Sequence, residues 1–133
     1  MPVRSSRSPV LKWPDAKTVD RAVRRWAKKA ARSHANVQRI GYFGSYARGD
    51  WGVGSDLDLI VVVQDSDRSF EHRGTGWRSE VLPVPADLLI YTEAEFSKLK
   101  TRGRFGKVLA DGVVWVYEAG DKRRHPPRET TNL

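Results

Sequence analysis

The chain has 133 residues and no cysteine, and its 24 Lys/Arg against 16 Asp/Glu leave a net charge of +8. That length suits one domain with its own core, and the lack of cysteine excludes a disulfide framework and a cysteine-ligated zinc site. The longest apolar run, residues 57–63 with Asp58 inside it, is too short to cross a membrane, and the basic N-terminus has no apolar segment of the kind a signal peptide needs, so a cytoplasmic protein is expected.

The charge is unevenly placed. Residues 1–40 hold 11 Lys/Arg and 2 Asp, for +9, whereas residues 41–133 hold 13 Lys/Arg and 14 Asp/Glu, for −1. Residues 1–12 mix Arg, Ser and Pro and read as a disordered basic arm. Trp13-Pro14-Asp15 then opens a helix, with Asp15 as its cap. Ala16, Val19, Ala22, Val23, Trp26, Ala27, Ala30 and Ala31 recur at helical spacing, and Lys17, Arg21, Arg24, Arg25, Lys28, Lys29 and Arg32 fill the other faces. His34 is expected at the surface near the helix end. The cationic face is either a solvated surface or a docking surface for an anionic partner, an acidic protein or RNA phosphates.

Val37 to Phe43 reads as a first strand, broken by Gly44-Ser45, with a short helical turn over Tyr46-Ala47-Arg48. Residues 49–55 form a glycine-rich loop in which Trp51 is expected to pack locally. Asp56 to Val63 is a second strand, apolar on both faces past its acids and therefore central. Residues 64–80 are polar, and Gly74 and Gly76 weaken any helix there. Val84 to Tyr91 is a third strand, Thr92-x-x-Glu95 a capping box opening a helix to Lys100, and Phe105 to Ala110 a short helix stopped by Asp111-Gly112. Val113 to Tyr117 is the last strand, and residues 121–133 read as a disordered tail. The order predicts an α/β (α+β) domain over residues 13–120, with a mixed four- to five-stranded sheet flanked by helices.

Asp56 and Asp58 stand two apart at the mouth of a strand, a spacing that projects both carboxylates to one side. Asp87 also interrupts an apolar strand, and placed beside the second strand it brings a third carboxylate to the same cavity. Such acids can cap strand ends or pair with arginines; three together, after a glycine-serine turn, favour a hard divalent cation such as Mg²⁺, which takes oxygen ligands and substrate phosphate. Gly44 lets backbone approach a phosphate, Ser45 adds a hydroxyl donor, and Arg48 is a fork-shaped cation within reach of a triphosphate.

Phe43-Gly44-Ser45-Tyr46-Ala47-Arg48-Gly49, followed by Ser55-Asp56-Leu57-Asp58-Leu59, resembles the motif of the DNA polymerase β-like nucleotidyltransferase superfamily, and within it the minimal nucleotidyltransferases (MNT or MntA-like proteins). The resemblance spans about residues 37 to 117. It implies that Asp56 and Asp58 ligate two Mg²⁺ ions and that Asp87 holds the catalytic one and helps deprotonate the acceptor. It further implies that Gly44 and Ser45 hold the β/γ phosphates of ATP, with Arg48 in support. The implied reaction moves a nucleoside monophosphate from a triphosphate to a hydroxyl and releases pyrophosphate.

Many minimal nucleotidyltransferases resemble antitoxins that adenylylate a tyrosine on a HEPN-domain ribonuclease toxin, and that partner is expected here. The +9 segment also suits an enzyme acting on RNA, such as a tRNA end. A catalytically silent toxin-binding module is the third reading, and a homo-oligomer is compatible with all three.

Overall fold

The computed structural model describes residues 13–119, so the arm over 1–12 and the tail over 121–133 lie outside the described residues. Helix α1, Ala16–Ser33, starts where Asp15 accepts a hydrogen bond from the Thr18 amide at 2.8 Å. Val19, Val23, Trp26, Ala27 and Ala30 form its buried stripe, and its seven cations are all exposed on the opposite side. Of these, among the described residues, only Arg24 is ion-paired, to Asp20 at 2.7 Å. Five like-charged pairs stand four apart: 17–21, 21–25, 24–28, 25–29 and 28–32. Together they oppose the helix by about 1–2 kcal/mol. Burying the apolar stripe, at about 1.5–3 kcal/mol for each large side chain, outweighs that repulsion.

Strands β1 (Val37–Phe43), β2 (Leu57–Val63), β3 (Ala86–Thr92) and β4 (Val114–Glu118) form one sheet in the order β3-β2-β1-β4. β1 runs antiparallel to β2 and β4, whereas β2 and β3 are parallel. The expected mixed, helix-flanked α/β sheet is present, with four strands. β2 is interior and covered on both faces. Leu57, Leu59, Val61 and Val63 pack in the cluster that contains α1, and Ile60 and Val62 pack with Phe96 and Leu109. The latter two belong to α3 (Glu93–Leu99) and α4 (Gly103–Asp111); α2 is the short turn Ser45–Arg48. Gly41 in β1 is required by packing: a Cβ there would lie 2.6 Å from Val113 and 2.9 Å from the Trp115 ring.

Several boundaries shift from expectation. β2 begins at Leu57, leaving Asp56 just outside it, because the Leu57 amide already donates to the Pro85 carbonyl at 2.8 Å. β3 starts at Ala86 and runs through Thr92, and α4 starts at Gly103. His34 is half-buried: its ring stacks on Trp77 with centroids 3.9 Å apart and planes 5° from parallel. Burial, with the nearby Arg68 charge, lowers its pKa.

The crossover from β2 to β3 contains two 3-10 turns, Phe70–His72 and Ser79–Val81, and no α-helix. It is nevertheless anchored. Trp77, Leu82 and Val84 are buried in the α1-side core, and Trp26 Nε1 donates to the Trp77 carbonyl at 3.0 Å. Arg73, its side chain only 9% exposed, forks onto Glu95 at 2.6 and 3.1 Å and donates to the Ile90 carbonyl at 3.1 Å. Glu95 also closes the capping box with Thr92, so one carboxylate joins the crossover to the start of α3.

The Arg73 hydrogen bond is the largest influence on Glu95, and with the Thr92 amide it holds the carboxyl below its ordinary 4.5 despite some desolvation. The folded state therefore binds this proton less readily than the unfolded chain. Its stabilisation is complete above about pH 4.5 and disappears as pH falls through the lower folded value. Glu95→Gln is expected to lower Tm at pH 7 while retaining secondary structure, and the gap from the parent should close below pH 4.5 in thermal melts. An equal gap at pH 3 and pH 7 would contradict the ion-pair origin.

Candidate active site

The parallel register sets Asp58 of β2 directly beside Asp87 of β3. Neighbouring strands lie about 4.8 Å apart, so side chains at matched positions meet on one face. That face is the α3/α4 side, the one to which Ile60, Val62 and Tyr91 also belong. The Leu57–Pro85 hydrogen bond pins the two strand entrances together. Asp58 is half-buried; Asp87, on the edge strand, and Asp56, one residue ahead of β2, are exposed.

Burial raises the Asp58 pKa above its ordinary 3.8, and the negative charges of Asp87 and Asp56 raise it further; Arg48 opposes them. Arg48 is a weak counter-charge. It is exposed and already engaged by Asp50 at 3.1 Å. The three carboxylates thus act on one another electrostatically. Among the described residues, however, no three acidic, histidine or cysteine side chains form a group ready to hold a metal ion. An all-oxygen, acid-only set whose central member is destabilised by its neighbours fits a hard cation, which would offset the repulsion.

The phosphate-type turn abuts this acid pair. Phe43, the last residue of β1, pairs with Asp58, and Gly44 follows with φ +80° and ψ −149°. A Cβ on Gly44 would collide with Asp58 Oδ2, so glycine is required by both conformation and space. Ser45 begins α2, whose later amides fold back: those of Ala47 and Arg48 donate to the Gly44 carbonyl, and those of Gly49 and Asp50 to the Ser45 carbonyl. The leading amides of Ser45 and Tyr46 have no such partner among the described residues.

The glycine-rich loop is held by Tyr46, Ser55 and Trp51, of which Trp51 packs locally as expected. Tyr46 is buried; its hydroxyl accepts from Trp13 Nε1 at 2.9 Å and donates to the Ser55 carbonyl at 3.4 Å, next to Asp56. Trp51 stacks on Tyr46, with centroids 5.5 Å apart and planes 9° from parallel. Ser55 Oγ accepts from the Gly52 amide at 2.8 Å. The only sequence signal was a run of aromatics around the glycine-serine turn. A separate cleft of about 510 Å³ opens at the opposite end of the sheet, lined in part by His34, Asp65, Arg68 and Trp77. None of the motif residues lines it.

A family model described as "Nucleotidyltransferase domain" matches residues 24–110. Among solved structures, the chain is similar to a Sulfolobus solfataricus protein assigned as a nucleotidyltransferase, at 19% identity and a TM-score of 0.58, covering 77% of this chain and 83% of that one. It also aligns with a toxin-antitoxin structure containing AMP-PNP, at 15% identity and a TM-score of 0.47, over 81% of this chain and 92% of the other. None of the curated proteins compared with the chain matches it. The match over residues 24–110 spans well over half of the sequence and contains the glycine-serine turn and all three acids, so the chain belongs to the nucleotidyltransferase-domain family, with the polymerase β-like fold.

Proposed function

We propose that the protein transfers AMP from ATP to a hydroxyl group on a macromolecular acceptor, with release of pyrophosphate. The observation that carries the reading is the contact between turn and acids: Gly44 leaves no room for a side chain against Asp58, and Asp58 sits beside Asp87. A triphosphate bound at the turn would therefore present its α-phosphorus to the carboxylates.

In this reading Ser45, the Gly44-Ser45 backbone and Arg48 hold the β/γ phosphates. Asp56, Asp58 and Asp87 hold Mg²⁺, which when bound neutralises phosphate charge and favours the ionised acceptor hydroxyl. Asp87 faces solvent on the edge strand and takes the acceptor side, where it helps remove the hydroxyl proton. The acceptor oxygen bonds to the α-phosphorus as the bond to the leaving pyrophosphate breaks. No covalent protein intermediate is needed, and positioning with charge neutralisation supplies the catalysis.

The motif's resemblance to minimal nucleotidyltransferases supports a tyrosine of a HEPN ribonuclease toxin as acceptor, and the exposure of Asp87 is compatible with a protein reaching it from outside. Incubation with labelled ATP, Mg²⁺ and a co-purified partner tests this. Label on the partner protein, lost with EDTA and restored by Mg²⁺, is the expected result. Label on RNA would move the acceptor to the RNA class. Partner binding without any transfer would make the domain a silent neutralising module.

Asp58→Asn is expected to lower transfer by about 100-fold or more while leaving the fold intact. The raised Asp58 pKa means the folded state binds this proton more readily than the unfolded chain. The resulting stability is present below about pH 3.8 and is lost as pH rises through the folded value. The metal-free Asn variant should therefore melt above the parent at pH 7, with the difference vanishing near pH 3. An unfolded variant, or a fully active one, would refute the assigned role. Gly44→Ala should reduce stability by about 1–3 kcal/mol and abolish ATP binding, as seen by calorimetry and melting, because it combines backbone strain with displacement of the Asp58 carboxylate.

A further inference from the structure

Along α1, at 100° per residue, all seven cations fall within an arc of about 140°, opposite the buried stripe. From Lys17 to Arg32 that arc becomes a continuous ridge about 22 Å long. A solvated helix face normally interleaves acids with its lysines and arginines. α3 does so, with Glu93 and Glu95 beside Lys98. α1 itself has one acid, Asp20, ion-paired to Arg24, and with Asp15 at the cap it offsets charge only at the first turns, near Lys17 and Arg21. The remaining cations repel one another along the ridge, and a polyanion would relieve this.

The chemistry of the surface selects the kind of polyanion. Protein interfaces are centred on apolar or aromatic anchors with charge at the rim. Here the large exposed apolar residues, Val53, Phe70, Val81 and Phe105, all lie off α1. The ridge thus offers charge without an anchor, which matches a sugar–phosphate backbone. A rigid duplex would touch a helical ridge only where one strand crosses it, whereas a flexible single strand can follow its length. We propose that the cationic ridge of α1 binds single-stranded RNA through its phosphates, without reading sequence. The ridge begins at the catalytic edge, since Trp13, just ahead of α1, is tied through Tyr46 to the Ser55 carbonyl. RNA along α1 would therefore run past the catalytic loop. The binding itself does not depend on the nucleotidyl-transfer reading, and its test contains no nucleotide.

The test is fluorescence anisotropy of the full chain with a labelled, unstructured 20-nucleotide RNA between 50 and 200 mM salt. With six unpaired cations engaged, log K should fall against log[salt] with a slope near about −4, a loss of roughly 300-fold over that range. Arg25→Gln/Lys28→Gln/Arg32→Gln removes three contacts and should halve the slope, to about −2. These changes relieve like-charge repulsion, so the variant should fold, as checked by circular dichroism. Lys98→Gln/Arg104→Gln/Lys107→Gln makes the same net-charge change off the ridge and should keep the parental slope. Equal losses in both triple variants, or no RNA binding at 50 mM salt, would overturn the assignment. So would tighter binding of duplex DNA. Loss of a co-purified protein from the ridge variant while its RNA binding stays parental would assign the surface to an acidic protein instead.

Discussion

The arrangement depends on a single register: β2 and β3 run parallel with Asp58 level with Asp87, fixed where the Leu57 amide meets the Pro85 carbonyl. A slip of one residue would turn Asp58 away from its neighbour and drive Leu57 or Leu59 toward the wrong layer. The hydrophobic side chains on both faces of β2 prevent that slip. They hold two like charges together that would separate if free. Burial first, and then the neighbouring charges of Asp87 and Asp56, raise the Asp58 pKa, and a bound cation or a proton would relieve the strain that Arg48 offsets only weakly.

Around this pair the structure is braced from two directions. On one side, Trp13, Tyr46, Trp51 and Ser55 make a small aromatic and hydrogen-bonded support beneath the glycine-rich loop. On the other, the β2–β3 crossover, with little regular structure, is fastened by Trp77 and the buried Arg73 fork onto Glu95. Leaving that guanidinium unpaired would strand a buried charge, so the fork's geometry matters more than its Coulomb energy. The Gly41 gap that admits Trp115 similarly sets how closely β1 and β4 approach.

Much of this is legible in the sequence. Alternating and continuous apolar runs located the four strands, and Asp15 and Thr92-x-x-Glu95 located two helix starts. Acids inside apolar strands marked Asp58 and Asp87, since a carboxylate there lacks a packing reason. That the two acids share a cavity is expected once their strands are neighbours, but the register that sets Asp58 level with Asp87 is a property of the strand pair and is not legible in either strand alone. The crossover lacks an α-helix, as its glycines suggest, but its anchoring is not legible: Trp77 and Leu82 are isolated apolar residues in a polar stretch, with no period to reveal the core they enter. His34 was misplaced because its burial comes from Trp77, distant in sequence. Nor does the local pattern show that Tyr46 joins Trp13 to the glycine-rich loop.

The edge position of β3 has a dynamic consequence. Gly44, Ser45, Asp56 and Asp58 all lie on or between β1 and β2, an antiparallel pair in the middle of the sheet. Asp87 alone belongs to the outermost strand, joined by a parallel ladder and by one amide clamp at its start. Edge elements open locally at lower free energy than the centre of a sheet. Fraying at Pro85–Asp87 would remove the third acid while the phosphate turn and the first two stayed assembled. If the turn and the acids act as proposed, nucleotide capture and nucleotide transfer rest on parts of the sheet with different local stabilities, and a contact that tightened or loosened one edge would separate the two.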